Sequence, residues 1–269
     1  MLIDWIDATC ELPDGVRAGY TTRLGGASEG AYLSANMATH VGDVDADVRE
    51  NRRRLLQITG LADIRWLKQV HGSSVAKVEP HVDPVDEQGS ASVADAQWTD
   101  SIGIGLAILS ADCFPVVIAD ARGSIVGIAH CGWRGAVCGV LESLVAAMRC
   151  RSASLNAWMG PGICKRCYEV GPDVVARLDA RISKNVLVAG PRRERWFLDL
   201  PGYLEILLQE LGIERIFGLP SCPYQDENLY SYRRGKVTGR VATIVWRETP
   251  CTSDPPNQVF ASCVPATTL

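Results

Sequence analysis

Two histidines and one cysteine stand where a chain can do chemistry: at the end of an apolar run and just before a turn. His71 lies in Trp66-Leu67-Lys68-Gln69-Val70-His71-Gly72. Cys113 lies in Ser110-Ala111-Asp112-Cys113-Phe114-Pro115, between the apolar runs 102–109 and 116–119. His130 opens His130-Cys131-Gly132-Trp133-Arg134-Gly135 after the apolar run 124–129. Imidazole and thiolate are zinc ligand types, and three protein ligands with an open fourth position make a catalytic zinc site. The same three residues also suit a buried thiol with two hydrogen-bonded histidines. A third use is a Cys113 nucleophile with His71 or His130 as its base. Spacing along the chain does not show that the three converge.

The elements that must position these groups are legible from periodicity. His130 and Arg134 fall in a tight strand-to-helix turn, where α/β proteins bind anions and place reacting groups. Residues 136–150 carry Val137, Val140, Leu141, Leu144, Val145 and Met148 at helical spacing, with Cys138 as a small apolar helix residue. Strands are expected at 17–23, 64–70, 74–79, 102–109, 116–119, 124–129, 155–159, 215–219 and 241–246. Helices are expected at 48–58, with its Arg run on a solvated face, from Pro172-Asp173 onward, and at 200–211. Residues 80–92 read as a polar loop holding His81. Consecutive strands without intervening helices argue against a plain doubly wound sheet, and pattern alone reads as α+β or α/β.

Composition narrows the class. The 269 residues are 47% hydrophobic, enough for a full core, and the net charge of −4 leaves no basic footprint for nucleic acid. No apolar run approaches the roughly 20 residues of a membrane span. The first residues carry early acids and no basic stretch, so a secretory leader is not expected and a soluble, cytoplasmic protein is. Ten cysteines are then read mostly as thiols. Cys164-Lys165-Arg166-Cys167 has CxxC spacing but no second pair, and reads as mainly structural, with redox or metal binding as the lesser option.

Together these segments strongly resemble the YfiH family, also called laccase-domain or polyphenol-oxidoreductase-like. Further motifs extend the likeness over residues 16–247: Thr22-Arg23-Leu24-Gly25-Gly26, Asn51-Arg52, Ala94-Asp95-Ala96, Gly160-Pro161-Gly162-Ile163, Tyr168-Glu169-Val170-Gly171, Cys222 and Ser231-Tyr232-Arg233-Arg234. The resemblance implies a single α/β domain over residues 1–247, layered helix, sheet, sheet, helix, with residues 248–269 as a flexible tail. It implies zinc on His71, Cys113 and His130, the catalytic centre. It implies a purine nucleoside phosphorylase acting on adenosine, inosine and methylthioadenosine, with adenosine deaminase side activity. A cysteine hydrolase or amidase acting on a peptidoglycan precursor is the alternative.

The residues qualify that expectation. Four histidines cannot furnish the blue-copper and trinuclear sites of a multicopper oxidase, so a laccase mechanism is not carried over. Arg23 and Arg134, in Gly-flanked turns, suit a phosphate co-substrate. Gln69, on the His71 face of an expected strand, and His40, in a turn the family shares, are expected to meet the nucleoside. Asp112 is expected either to bind substrate and orient a ligand histidine or to cap a turn. Asp112, Asp95 and Glu169 are the candidate acids. Cys131, where many relatives have Ala, is expected to pack. The sequence does not give the oligomeric state.

Overall fold

Phe114–Asp120 is buried at every position because both of its faces are covered. Val116 and Ile118 pack toward helices, while Val117 and Ala119 pack toward a second sheet. Ile104–Ser110 repeats the arrangement, with Leu106 and Ile108 facing between the sheets and Ala107 and Leu109 facing outward. Two-sided burial explains why these strands read as continuous apolar runs and not as alternation.

The structure is a computed structural model that describes residues 2–80, 92–218 and 221–249. His81, most of the expected loop and residues 250–269 of the expected tail lie outside the described residues. Elements are numbered in chain order. A five-stranded sheet runs β1 (Trp5–Asp7), β2 (Val16–Thr21), β14 (Val241–Arg247), β6 (Ile104–Ser110), β3 (Asp63–Arg65). A six-stranded sheet runs β13 (Arg215–Phe217), β9 (Leu155–Met159), β7 (Phe114–Asp120), β8 (Val126–Cys131), β5 (Ala96–Thr99), β4 (Val75–Lys77). A small third sheet runs β10 (Glu169–Val170), β12 (Trp196–Leu198), β11 (Leu187–Ala189).

Helix α1 (Asp45–Thr59) supplies Leu55 to the outer face of the five-stranded sheet and ends at Gly60, whose φ of 68° makes a left-handed cap. The helices α2 (Trp133–Val137), α3 (Val140–Met148), α4 (Pro172–Val175), α5 (Ala180–Val186) and α6 (Leu200–Glu210) lie with the six-stranded sheet, where Leu141, Leu144, Leu204 and Leu208 form its outer core. The layers are therefore helix, sheet, sheet, helix, as the resemblance implied. No helix among the described residues is long and apolar enough to cross a membrane.

Four local expectations change. The helix expected at 136–150 starts earlier, at Trp133, and breaks at Gly139, whose φ is 82°, leaving Cys138 exposed at the break. The strand expected at 64–70 ends at Arg65, so residues 66–74 form a loop. In α1, only Arg53 of the arginine run is exposed. Arg52 stacks 3.9 Å over Trp66 and donates to the Met37 carbonyl, because its long stem covers apolar surface that a solvated face would leave open. Glu248 is tied to the fold: its N–H donates to the Gly15 carbonyl and its carboxylate accepts from Arg17 at 2.9 Å.

Candidate functional site

The register of three antiparallel strands brings the site together. Pairing of β7 with β8 sets Phe114 opposite Cys131, which puts Cys113 beside Gly132 just beyond the paired ends. Pairing of β5 with β8 sets Ala96 opposite Ala129, so Asp95 lies next to His130, whose N–H donates to the Asp95 carbonyl at 2.7 Å. Alternation along β8 sends Cys131 into the helix-side core, the packing role expected of it, and leaves His130 on the other face. Burial pushes the Cys131 thiol well above its usual range.

His71, Cys113 and His130 each offer a ligand atom, and these atoms lie within 4.8 Å of one another. His71 Nε2 is 3.9 Å from Cys113 Sγ, and the two imidazole rings meet edge to face with centroids 4.7 Å apart. His130 is buried, Cys113 half-buried and His71 exposed, so the cluster opens to solvent on the His71 side.

Asp95 organises the cluster. It is fully buried and accepts N–H bonds from Val70 at 3.1 Å, His71 at 2.8 Å and Gly72 at 2.7 Å. It also lies 3.0 Å from His130 Nδ1, which donates to it and so turns Nε2 toward Cys113. These bonds hold His71 at φ 60°, a left-handed conformation that costs a non-glycine residue on the order of 1–3 kcal/mol. Burial opposes ionisation of Asp95, yet His130 and the amides of Gly72 and Val70 outweigh it and hold the carboxyl below its usual range.

Electrostatics favour a thiolate. Burial works against charge on Cys113, but the charge of His130 and hydrogen bonds from both histidines bring its pKa down to about 6. Burial likewise opposes charge on His130, but Cys113 and Asp95 raise it to about 9. The donor set fits a metal. It combines two nitrogens and a sulfur, a second partner fixing one histidine, and space at Gly132, where a Cβ would stand 2.7 Å from Cys113 Sγ and 3.3 Å from His71 Cδ2.

The remaining expected residues divide. Asp112, at φ 101°, does not orient a histidine; Asp95 holds that position. Asp112 instead accepts from Ser231 Oγ and the Arg233 N–H, each at 2.7 Å, because both of its oxygens are taken up in anchoring the Ser231–Arg234 turn. Burial raises its pKa despite those bonds. The amide of Gln69 is spent on Leu109, donating to its carbonyl at 2.8 Å and accepting its N–H at 2.9 Å. It does so because the chain has already left the strand and runs across the end of β6. Glu169 pairs with Arg192 and Arg195.

Arg134 is exposed and packs 4.5 Å over Trp133. Arg23 stacks over Tyr230 and donates to the Leu33 carbonyl, and it lines a cavity of about 440 Å³ with Leu24, Leu33, Glu227, Asn228 and Arg234. None of His71, Cys113 and His130 lines that cavity. His40 is exposed, and its pKa is lowered by partial burial and by neighbouring Arg240 and Arg52. Arg240 went unread in the sequence. It feels the charges of Cys113 and Asp112, and its guanidinium is aimed by the Thr238 and Gly239 carbonyls, each at 2.9 Å. Its place after Ser231-Tyr232-Arg233-Arg234 was the available signal.

Comparison with known proteins places this arrangement. Residues 17–248 match the family described as multi-copper polyphenol oxidoreductase laccase. The purine nucleoside phosphorylase YfiH of Escherichia coli K12 is 37% identical over 239 residues, covering 87% of this chain and 95% of the relative. The purine nucleoside phosphorylase PA4543 of Pseudomonas aeruginosa is 36% identical over 250 residues, covering 90% and 98%. The crystal structure of Neisseria meningitidis protein NMB0706 superimposes with a TM-score of 0.83 at 32% identity, covering 91% of this chain and all of that one. Matched through most of its length in both sequence and fold, the chain belongs to the YfiH family of laccase-domain proteins.

Proposed function

We propose that this chain is a zinc-dependent purine nucleoside phosphorylase that takes adenosine, inosine and methylthioadenosine, with adenosine deamination as a side activity. The observation that carries the reading is the convergence of His71, Cys113 and His130 in a chain whose curated relatives are named purine nucleoside phosphorylases. Four histidines are too few for a multicopper centre, which favours a single-metal site.

Zinc held by these three residues would supply a Lewis acid with one position left open. The protein's own groups do the rest. Asp95 fixes the tautomer of His130 and the turn at His71. His130 holds Cys113 as thiolate. Arg134, exposed on Trp133, and Arg240, which feels the charge of Cys113, supply the cations that a phosphate co-substrate needs. His40, next to Arg240, borders the nucleoside side. Asp112 positions the turn that follows it by gripping Ser231 and Arg233.

The test is incubation of zinc-loaded protein with adenosine, with and without phosphate, and separation of the products. Adenine and ribose 1-phosphate form only with phosphate if the reading holds, and inosine in both tubes reports the deaminase. Unchanged adenosine in both tubes overturns it and turns attention to Cys113 as the nucleophile of a hydrolase.

A further inference from the structure

The CxxC pair has a third partner. Cys164, Cys167 and Cys222 bring their sulfur atoms within 4.8 Å of one another. Cys164 caps and Cys167 closes a single 3-10 turn, Lys165–Cys167, and Cys222 lies on the loop that runs to the Ser231–Arg234 turn. We infer that these three cysteines form a second metal site, one that takes zinc and staples two loops beside the first cluster.

The chemistry of the donors carries this. Three sulfurs and no imidazole or carboxylate make a soft set, which selects a thiophilic cation. Sulfurs around a tetrahedral zinc at about 2.3 Å stand roughly 3.8 Å apart, so small side-chain rotations bring all three into range. Gln225 Oε1, 3.8 Å from Cys164 Sγ, offers an oxygen for a fourth position. A disulfide would use two of the three sulfurs, whereas a cation uses all of them.

The surroundings are arranged as at sulfur–metal sites. The Cys164 N–H donates to Cys222 Sγ at 3.3 Å, and the backbone N–H groups of Arg166 and Cys167 turn back toward the Cys164 sulfur. Such bonds orient thiolates and offset their charge. Three thiolates on a divalent cation leave one negative charge, and Lys165 and Arg166 flank it in sequence.

The site also has a place in the architecture. Ile163, next to Cys164, donates its N–H to the Asp112 carbonyl at 2.8 Å. On the other loop, Arg234 gathers the carbonyls of Pro223, Tyr224, Asp226 and Leu229. Three residues before Arg234, Ser231 grips Asp112 beside Cys113. A cation on Cys164, Cys167 and Cys222 therefore joins two segments that both end on Asp112.

The test is zinc titration of the full chain, reduced, stripped of metal and kept without oxygen, against a competing chromogenic chelator. Wild type is expected to bind two equivalents, Cys113→Ser one, Cys167→Ser one, and the double variant none. Cobalt added to Cys113→Ser should give intense sulfur-to-metal charge-transfer absorption, and cobalt added to the double variant should give none. Zinc should raise the melting temperature of Cys113→Ser. Cys164→Ser repeats the loss if Cys167→Ser fails to fold by circular dichroism. A single equivalent in wild type that vanishes in Cys113→Ser, or two equivalents retained by Cys167→Ser, overturns the inference. Neither result bears on phosphorolysis, so the two readings fail separately.

Discussion

Cys113 and His130 stand at the ends of sheet strands and His71 on the loop that follows β3, and the two histidines share one fully buried carboxylate, Asp95, that accepts three backbone N–H groups and one imidazole. Cys164, Cys167 and Cys222 stand on two loops, with one another and backbone N–H groups as partners. The first cluster is braced by Asp95, has mixed donors and opens to solvent at exposed His71. The second is all sulfur. A rigid, open, mixed-donor site suits catalysis, while an all-sulfur site between loops suits a structural role.

Removing a ligand of the first cluster should have the largest effect. His130→Ala is expected to abolish zinc binding at that site and to lower phosphorolysis by at least about a thousandfold, the scale of losing several kcal/mol of Lewis-acid stabilisation. Activity kept by a folded His130→Ala variant would erase the distinction between the clusters. Asp95→Asn comes next. The amide keeps the size of the carboxyl but loses its charge and half of its accepting capacity, so zinc affinity at the first cluster should fall by about 10–100-fold while Cys164, Cys167 and Cys222 are untouched.

Gly132→Ala sharpens the comparison further. Its Cβ would stand 2.7 Å from Cys113 Sγ, so the sulfur must shift. A strain of about 1–3 kcal/mol corresponds to a loss of roughly 5- to 150-fold in zinc affinity. An unchanged affinity would show that Cys113 tolerates displacement. The smallest effect concerns protonation. In metal-free protein, Cys113 has its pKa depressed to about 6, so its alkylation rate should be low below pH 6 and rise to a plateau above it. Removing His130 takes away the largest influence that opposes burial, so His130→Ala should move the midpoint upward. Peptide mass spectrometry of Cys113 checks both, and a midpoint near 9 in wild type would contradict the electrostatics described.

The sequence made the first cluster legible through residue type and motif, because His71, Cys113 and His130 each close an apolar run. The role of Asp95 was not legible, because it depends on the register that sets Ala96 opposite Ala129. Gln69 was misplaced for a related reason: once the strand ends at Arg65, its amide meets the Leu109 backbone instead of following strand alternation. Arg240 feels the charges of Cys113 and Asp112 only through the tertiary fold, and its place after Ser231-Tyr232-Arg233-Arg234 was the one signal in the sequence. The CxxC spacing was visible, but its third sulfur lies 58 residues away along the chain and only loop packing brings Cys222 to Cys164. The layered fold was clearer, since two-sided burial of β6 and β7 leaves continuous apolar runs.

The central claim is that the first cluster holds the metal on which phosphorolysis depends. The most direct measurement follows adenine release from adenosine and phosphate by protein stripped of metal, while zinc is added back to wild type and to Cys113→Ser. Wild type should be inactive when stripped and recover as zinc is restored, and Cys113→Ser should stay inactive at every zinc concentration. Full activity in the stripped wild type, or recovery in Cys113→Ser, would contradict the account.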